Sequence, residues 1–455
     1  MIEVMIAAPA SGSGKTVLTC ALLAALRRQG LDPCAFKCGP DYIDPMFHRS
    51  VLGVESHNLD LFLAEEAAVR RLYARYSAGH GAAVLESAMG FYDGLGGSTA
   101  RASGWHIADT LDIPVLLAVR PRGAGLTLAA QIRGLLDFRQ PSHIAGIFLT
   151  DCSPMLARSL TPMLERETGL PVLGFLPHME EAALESRHLG LRTAGEIPGL
   201  ASRLDRVAGE LARTMDWEKF SALFGGRTVR EMPEIPVPIG RVPIAVARDE
   251  AFCFLYGEAL DALRDAGAEL LFFSPLRDAR LPEDACGLYL PGGYPELYAA
   301  QLAENDEMRN AVRNAVEGGL PTVAECGGFL YLGRSLEGAD GKTYPTAGYL
   351  PGEGVRKERL VRFGYAELTA GEDSLLFRAG ESVPVHEFHY WDSTENGGGL
   401  TASKPLTGRS WQCGFVGERL YAGFPHLCFA GRPALAERFV RTAEQHRKER
   451  EKHGV

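Results

Sequence analysis

Through the first half of the chain, short unbroken apolar runs alternate with stretches of helical spacing. Residues 2–8, 33–37, 82–86, 114–119, 144–150 and 171–175 each read as a strand with both faces buried. Residues 16–29 have the spacing of a helix, and Gly30 stands where that helix ends. Strand and helix in turn over residues 1–215 predict a doubly wound α/β domain. Ligands of such sheets bind at the carboxyl ends of the strands. Residues 225–243 hold four prolines and three glycines and read as a linker. A second α/β series follows, with strands expected at 244–247, 269–273, 287–290 and 322–324 and helices at 252–266 and 305–318. Residues 360–430 are richer in strand patterns and aromatic side chains. From Ala443 the charged run Arg-Lys-Glu-Arg-Glu-Lys reads as a solvated helix end. The expected division is a first domain at 1–224, a linker at 225–243, a second domain at 244–445 and a charged tail at 446–455.

Composition narrows the class. At 455 residues, 46% hydrophobic and 23% charged, the chain is an ordinary globular protein of two domains or three. A net charge of −10 argues against broad binding to nucleic acid or an anionic membrane, though not against a local basic pocket. No apolar run approaches a membrane span, and the start lacks a basic leader, so a cytoplasmic protein is expected. The nine cysteines are scattered with no C-x-x-C, which fits reduced thiols better than disulfides or a zinc site.

The chemistry begins at the first turn. Residues 10–14 are small, and Gly14-Lys15-Thr16 opens the first helix. Strand, small-residue loop, Lys-Thr and helix form the setting of a P-loop. Backbone N–H groups of Gly12, Ser13 and Gly14 would cradle phosphate at the helix start, with Val17 in its first turn. Lys15 would reach the outer phosphates, and the Thr16 hydroxyl would hold Mg²⁺. The usual pattern has Gly where this chain has Pro9. Three acidic clusters follow at strand ends, containing Asp41 and Asp44, Glu86, and Asp93. A strand-end carboxylate beside a P-loop suits Mg²⁺, so Glu86, with Asp41, joins Thr16 as a metal ligand candidate. Asp44 and Asp93 are candidates to orient a second substrate.

In the second domain, Leu320-Pro-Thr-Val-Ala-Glu-Cys326-Gly327-Gly328 places a cysteine between a strand and a helix. A side chain at such a turn is held out, and the helix start favours a thiolate. Cys326 is therefore a candidate nucleophile, and the backbone N–H groups of Gly327 and Gly293 are candidates for an oxyanion hole. Its base would be His426, His386 or His389, and spacing does not choose among them.

Taken together, these motifs resemble those of the cobyrinic acid a,c-diamide synthases, cobalamin-pathway amidotransferases. The resemblance covers nearly the whole chain. It rests on Gly39-Pro-Asp-Tyr-Ile-Asp-Pro45, Met89-Gly-Phe-Tyr-Asp-Gly94, Arg187-His-Leu-Gly-Leu191, Arg248-Asp-Glu-Ala-Phe252, Pro291-Gly-Gly-Tyr-Pro-Glu296, Ala324-Glu-Cys-Gly-Gly328 and His386-Glu-Phe-His-Tyr390. It implies an α/β fold, with a P-loop doubly wound ATP-binding domain, dethiobiotin-synthetase-like, followed by a class I glutamine amidotransferase-like α/β domain. It assigns Cys326 as glutaminase nucleophile and His426 as its activator, and puts Asp41, Tyr42, Ile43, Asp44 and Asp93 near the tetrapyrrole. ATP and L-glutamine are the implied co-substrates and Mg²⁺ the metal. The implied partner is a small-molecule tetrapyrrole, with no nucleic acid and no membrane, and a homodimer is allowed for. The implied reaction activates a carboxylate as an acyl phosphate and displaces phosphate with ammonia released from glutamine, at the a and c acetates.

This chain departs from the family at Ala8 and Pro9, Ser87 and Ala88, Arg120, Thr150 and Cys428, which bears on nucleotide recognition and leaves Lys15, Cys326 and His426 untouched. No glutamate stands two residues after His426, so a third member of the glutaminase triad is not placed. The same reaction on hydrogenobyrinic acid or nickel sirohydrochlorin shares these motifs. A ParA- or MinD-like switch ATPase shares the P-loop plan without needing Cys326.

Overall fold

The computed structural model describes residues 1–179, 199–228 and 240–453. The chain divides into two compact units, Met1–Pro233 and Glu234–Val455. The motif Arg187–Leu191 and most of the expected linker lie outside the described residues.

The first unit is built on seven strands: β1 (Ile2–Ala7), β2 (Pro33–Cys38), β3 (Ser56–Leu59), β4 (Ala82–Glu86), β5 (Val115–Val119), β6 (Ile144–Leu149) and β7 (Val172–Phe175). They run parallel in the order β3-β2-β4-β1-β5-β6-β7. Alternate residues of each strand face opposite layers. Met5, Phe36, Leu85 and Leu117 pack under the helices Glu66–Ser77, Gly104–Leu111, Leu126–Phe138 and Pro154–Thr168. Val4, Ile6, Val84 and Leu116 pack under Lys15–Arg28, Leu200–Thr214 and Trp217–Phe224. Covering on both sides is why these strands read as unbroken apolar runs.

Six of the seven strands stand where the apolar runs predict them. The unpredicted one, β3, is Ser-His-Asn-Leu, buried along its length. Its polar side chains are bonded inward, with Asn58 donating to the carbonyls of Gly39 and Asp41 at 2.9 and 2.6 Å. The Ser56 hydroxyl lies 3.0 Å from His48 Nδ1. Polar burial satisfied in this way leaves no apolar signature.

The second unit contains β8 (Val242–Ala247), β9 (Ala268–Phe273), β10 (Gly287–Leu290), β11 (Thr322–Glu325), β12 (Ser335–Glu337), β13 (Thr343–Pro345), β14 (Glu353–Ala370), β15 (Ser382–Ser393), β16 (Leu400–Ser403), β17 (Ser410–Cys413), β18 (Phe415–Gly417), β19 (Leu420–Gly423) and β20 (His426–Leu427). One sheet has the order β18-β19-β11-β10-β8-β9, parallel except for its edge strand β18. The other is a mixed sheet, β13-β12-β14-β15-β20, with β16 paired to β14 and β17 paired to β16.

The helix expected over 252–266 begins only at Gly257. Asp249 holds the preceding residues in a turn, with Oδ1 accepting from the N–H groups of Ala251 and Phe252 and Oδ2 from Leu276 N–H and the Ser274 hydroxyl. The final helix runs without a break from Pro433 to His453, and Glu449 in its charged end accepts from Arg419 at 2.6 Å. Among the described residues no helix is long and apolar enough to cross a membrane.

Candidate active sites

In the first unit, β1 leads through residues 8–14 into the helix Lys15–Arg28. The left-handed positions of this loop fall on Gly12 (φ 76°) and Gly14 (φ 86°), which pay no Cβ penalty there. Position 9 is not among the left-handed residues, so proline is accommodated where the usual pattern has glycine. A Cβ on Gly14 would stand 3.2 Å from that of Thr150. The Thr150 hydroxyl donates to the Ser13 carbonyl at 2.7 Å, so this side chain braces the loop.

Lys15 is buried and its ammonium donates to the Met89 carbonyl at 2.5 Å and the Ala10 carbonyl at 3.4 Å. Burial lowers its pKa to about 8, with Lys37 adding to the effect and Glu86 and Asp93 opposing it. The Thr16 hydroxyl donates to Glu86 Oε1 at 2.7 Å, and Lys37 Nζ reaches the same oxygen at 2.7 Å. The second Glu86 oxygen is buried without a hydrogen-bond partner. Lys37 also pairs with Asp44 at 2.7 Å. Burial opposes the Lys37 charge, but Asp44, Glu86 and Asp41 outweigh it and hold the ammonium protonated.

Asp41 Oδ1 accepts from the N–H groups of Ile43 and Asp44 at 2.8 and 3.1 Å and so shapes the turn into the short helix Ile43–Phe47. Burial and neighbouring Asp44 raise its pKa to about 6. Tyr42 is buried and Ile43 half-buried in the same turn. Asp93 is exposed and accepts from Gly90 N–H at 3.0 Å. The structure thus links Thr16, Glu86, Lys37 and Asp44 through one set of contacts, with Lys15 near enough to feel the charges of Glu86 and Lys37. Lys37 was missed in the sequence, although a lysine closing an otherwise apolar strand was a signal for it.

Two cavities flank the loop. One, of about 260 Å³, is lined by Gly12, Gly14, Val17, Arg120, Asp151 and Met179 among others. Arg120 pairs with Asp151, whose other oxygen lies 2.7 Å from His178 Nδ1. The second, of about 610 Å³, is mainly apolar, with Pro9, Ala10, Tyr92, Leu135 and Phe138 in its wall.

In the second unit, β11 ends at Glu325 and the helix Gly327–Leu332 begins just after Cys326. Cys326 has φ 46° and ψ −101°, a conformation rare for a residue with a side chain. Its N–H donates to the Gly423 carbonyl at 2.8 Å, which pins the turn to β19. The glycines clear space. A Cβ on Gly328 would lie 2.1 Å from the Leu290 carbonyl oxygen, and one on Gly327 would lie 3.1 Å from Gly293 N. That approach brings the two expected oxyanion donors, Gly293 and Gly327, together.

His426, on β20, is hydrogen-bonded to Cys326. Burial opposes its positive charge, but the charge and hydrogen bond of Cys326, followed by Glu325, push its pKa up to about 10. His386 stacks on it with ring centres 4.9 Å apart. Burial holds His386 well below the ordinary value, reinforced by His426 and Lys404. His389 lies 3.1 Å from Glu387 Oε2 and 2.6 Å from the Trp391 carbonyl oxygen. Of the three histidines, it is His426 that the fold brings to Cys326.

Two family descriptions match the chain. Residues 4–191 match the CobQ/CobB/MinD/ParA nucleotide binding domain, and residues 243–434 match the CobB/CobQ-like glutamine amidotransferase domain. The fold and sites therefore define a nucleotide-binding unit joined to a glutamine amidotransferase unit. The chain is 36% identical over 432 residues to the cobyrinate a,c-diamide synthase of Caldanaerobacter subterraneus subsp. tengcongensis, covering 93% of this chain and 94% of that one. It is also 36% identical to the cobyrinate a,c-diamide synthase of Clostridium acetobutylicum, covering 97% and 100%. It belongs to the cobyrinate a,c-diamide synthase family, a family of glutamine-dependent amidating ligases.

Proposed function

We propose that this enzyme amidates the a and c acetate carboxylates of cobyrinic acid with ATP and glutamine. One observation carries the reading. The same chain holds a buried Lys15 and a Thr16–Glu86 hydrogen bond at a P-loop, and a strained Cys326 hydrogen-bonded to His426. Amidation that draws its nitrogen from glutamine needs both. The choice of substrate follows the relatives, which are named for this reaction over nearly their whole length.

A carboxylate does not accept ammonia directly, because hydroxide is a poor leaving group. Its oxygen attacks the γ-phosphorus of ATP, ADP leaves, and an acyl phosphate forms. Lys15 and the loop N–H groups of Gly12, Ser13 and Gly14 neutralise charge on the transferred group. The cavity beside Val17 and Arg120 supplies room for the rest of the nucleotide. Tyr42, Ile43, Asp44 and Asp93 hold the macrocycle. The unpartnered Glu86 oxygen beside the Thr16 hydroxyl fits a hard cation, so Mg²⁺ would be held by Thr16 and Glu86 with Asp41. When bound, the ion screens phosphate charge.

At the other site the Cys326 thiolate attacks the glutamine side-chain amide, and the N–H groups of Gly293 and Gly327 receive the oxyanion. The His426 imidazolium gives its proton to the departing nitrogen, releasing ammonia and leaving a γ-glutamyl thioester. Water, deprotonated by His426, then releases glutamate and restores the thiol and imidazole as the ion pair. Ammonia attacks the acyl phosphate carbon, phosphate leaves, and a proton is lost to give the amide. Two rounds consume two ATP and two glutamine.

Mass spectrometry of cobyrinic acid incubated with the protein, ATP, Mg²⁺ and glutamine tests this, with hydrogenobyrinic acid and nickel sirohydrochlorin in parallel. Two amidations of cobyrinic acid that require ATP and glutamine are expected. Amidation of another macrocycle in its place would overturn the substrate, and no amidation of any would overturn the reaction.

A further inference from the structure

In many cysteine–histidine sites a carboxylate orients the imidazole, and here the position two residues beyond His426 holds Cys428. Yet a carboxylate is present on another element. Glu325 is buried, and its Oε2 stands 3.8 Å from His426 Nδ1. The same oxygen accepts from the Tyr289 hydroxyl at 2.9 Å, and Oε1 accepts from Leu427 N–H at 2.9 Å. The carboxylate is therefore clamped between β10 and β20, with one oxygen turned toward the imidazole. Glu387, another buried acid nearby, lies instead against His389 and Arg362.

We propose that Glu325, the residue immediately before the nucleophile, is the positioning carboxylate of His426. This rests on the reading of Cys326 and His426 as the glutaminase pair. The reason for the placement is steric and covalent. β11 must end at Cys326, and its last side chain points away from the strained turn toward the β10–β20 side. An acid there stands against Nδ1 of the imidazole that is hydrogen-bonded to the thiol. Apo histidine–carboxylate distances are commonly longer than those of the working complex, so 3.8 Å is within what closing on glutamine shortens. The groups bearing on His426 are Cys326 and Glu325 from β11 and its turn and His386 from β15, with Tyr289 acting through Glu325.

Glu325→Gln separates orientation from scaffolding. Glutamine keeps an acceptor for Leu427 N–H and a polar partner for Tyr289, and removes only the charge. On the full-length enzyme with glutamine, ATP and cobyrinic acid, the glutamine-dependent kcat is expected to fall about 10²-fold. KM for glutamine should stay within about twofold, and the alkaline limb of the kcat/KM profile should move down by about one pH unit. Glu325→Asp, which restores the charge on a shorter arm, should recover part of kcat and return the limb. Wild-type kcat and an unmoved limb in Glu325→Gln would overturn the inference and leave Glu325 as a structural clamp. If Glu325→Gln also loses ammonium-fed turnover, which does not use the thiol, misfolding is the cause. Glu325→Asp then decides: glutamine-dependent turnover with the wild-type limb is expected, and an Asp variant that keeps ammonium-fed turnover but recovers no glutamine-dependent kcat overturns the proposal. Glutaminase activity surviving in Cys326→Ser would instead sink the underlying assignment.

Discussion

Both sites are made by a parallel strand turning into a helix, but the two turns assign their strained backbone to opposite kinds of residue. At the phosphate loop the left-handed positions are Gly12 and Gly14, and Lys15 already lies in regular helix. At the second turn the left-handed residue is Cys326 itself, and Gly327 and Gly328 lie inside the helix. The difference follows from what each turn must present. A phosphate cradle offers backbone N–H groups, so its bent residues need no side chain. A nucleophile must offer its side chain, so the bend costs about 1–3 kcal/mol at a residue that has one. Glycine serves conformation in the first turn and clearance in the second.

The largest test of this contrast crosses the two sites. Cys326→Ser should lower glutamine-dependent amidation by about 10⁴-fold or more while ammonium still supports it. Lys15→Ala should lower amidation from either nitrogen source by about 10²–10³-fold. Assays with glutamine and with ammonium side by side check both, and equal loss from both sources in Cys326→Ser would erase the distinction between the sites.

Glycine replacements give a smaller effect. Gly328→Ala drives a methyl against the Leu290 carbonyl and should destabilise the second unit by about 3 kcal/mol. Gly12→Ala meets open space and bears only its left-handed φ, costing about 1 kcal/mol. Urea unfolding of the two variants checks the order, and a larger loss in Gly12→Ala would break the comparison.

The smallest effect is a proton. Lys15 sits at about 8 because it is buried, and phosphate beside it raises that value. Above that pH the free enzyme is mostly neutral there and the complex charged, so ATP binding should take up protons, up to about one per site. Titration calorimetry at about pH 9 in buffers of different ionisation enthalpy measures it. Zero uptake would mean that Lys15 does not meet the phosphates.

The first sheet was legible because its strands are covered on both faces and announce themselves as apolar runs. β3 was not, because Ser56 and Asn58 are buried by hydrogen bonding, which leaves no hydrophobic trace. Cys326 could be read from the paired glycines after it. His426 could not be chosen over His386 and His389 from spacing, because strand pairing between β15 and β20 sets which imidazole faces the thiol. The start of the helix at Gly257 was hidden for a local reason, since Asp249 stabilises a competing turn through both carboxylate oxygens. Thr150, one of the positions where this chain departs from the family pattern, turns its hydroxyl to the Ser13 carbonyl. A substitution can be seen in a sequence, but the direction its side chain takes belongs to the packing.

Lys37 joins Glu86, beside the phosphate loop, to Asp44, in the segment that shapes the neighbouring turn. One ammonium thus answers to two stretches of chain at once. For the way such a protein can drift, this makes position 37 a shared hinge pin. The ammonium itself cannot be lost without leaving two buried acids, Asp44 and Glu86, stripped of the counter-charge they share.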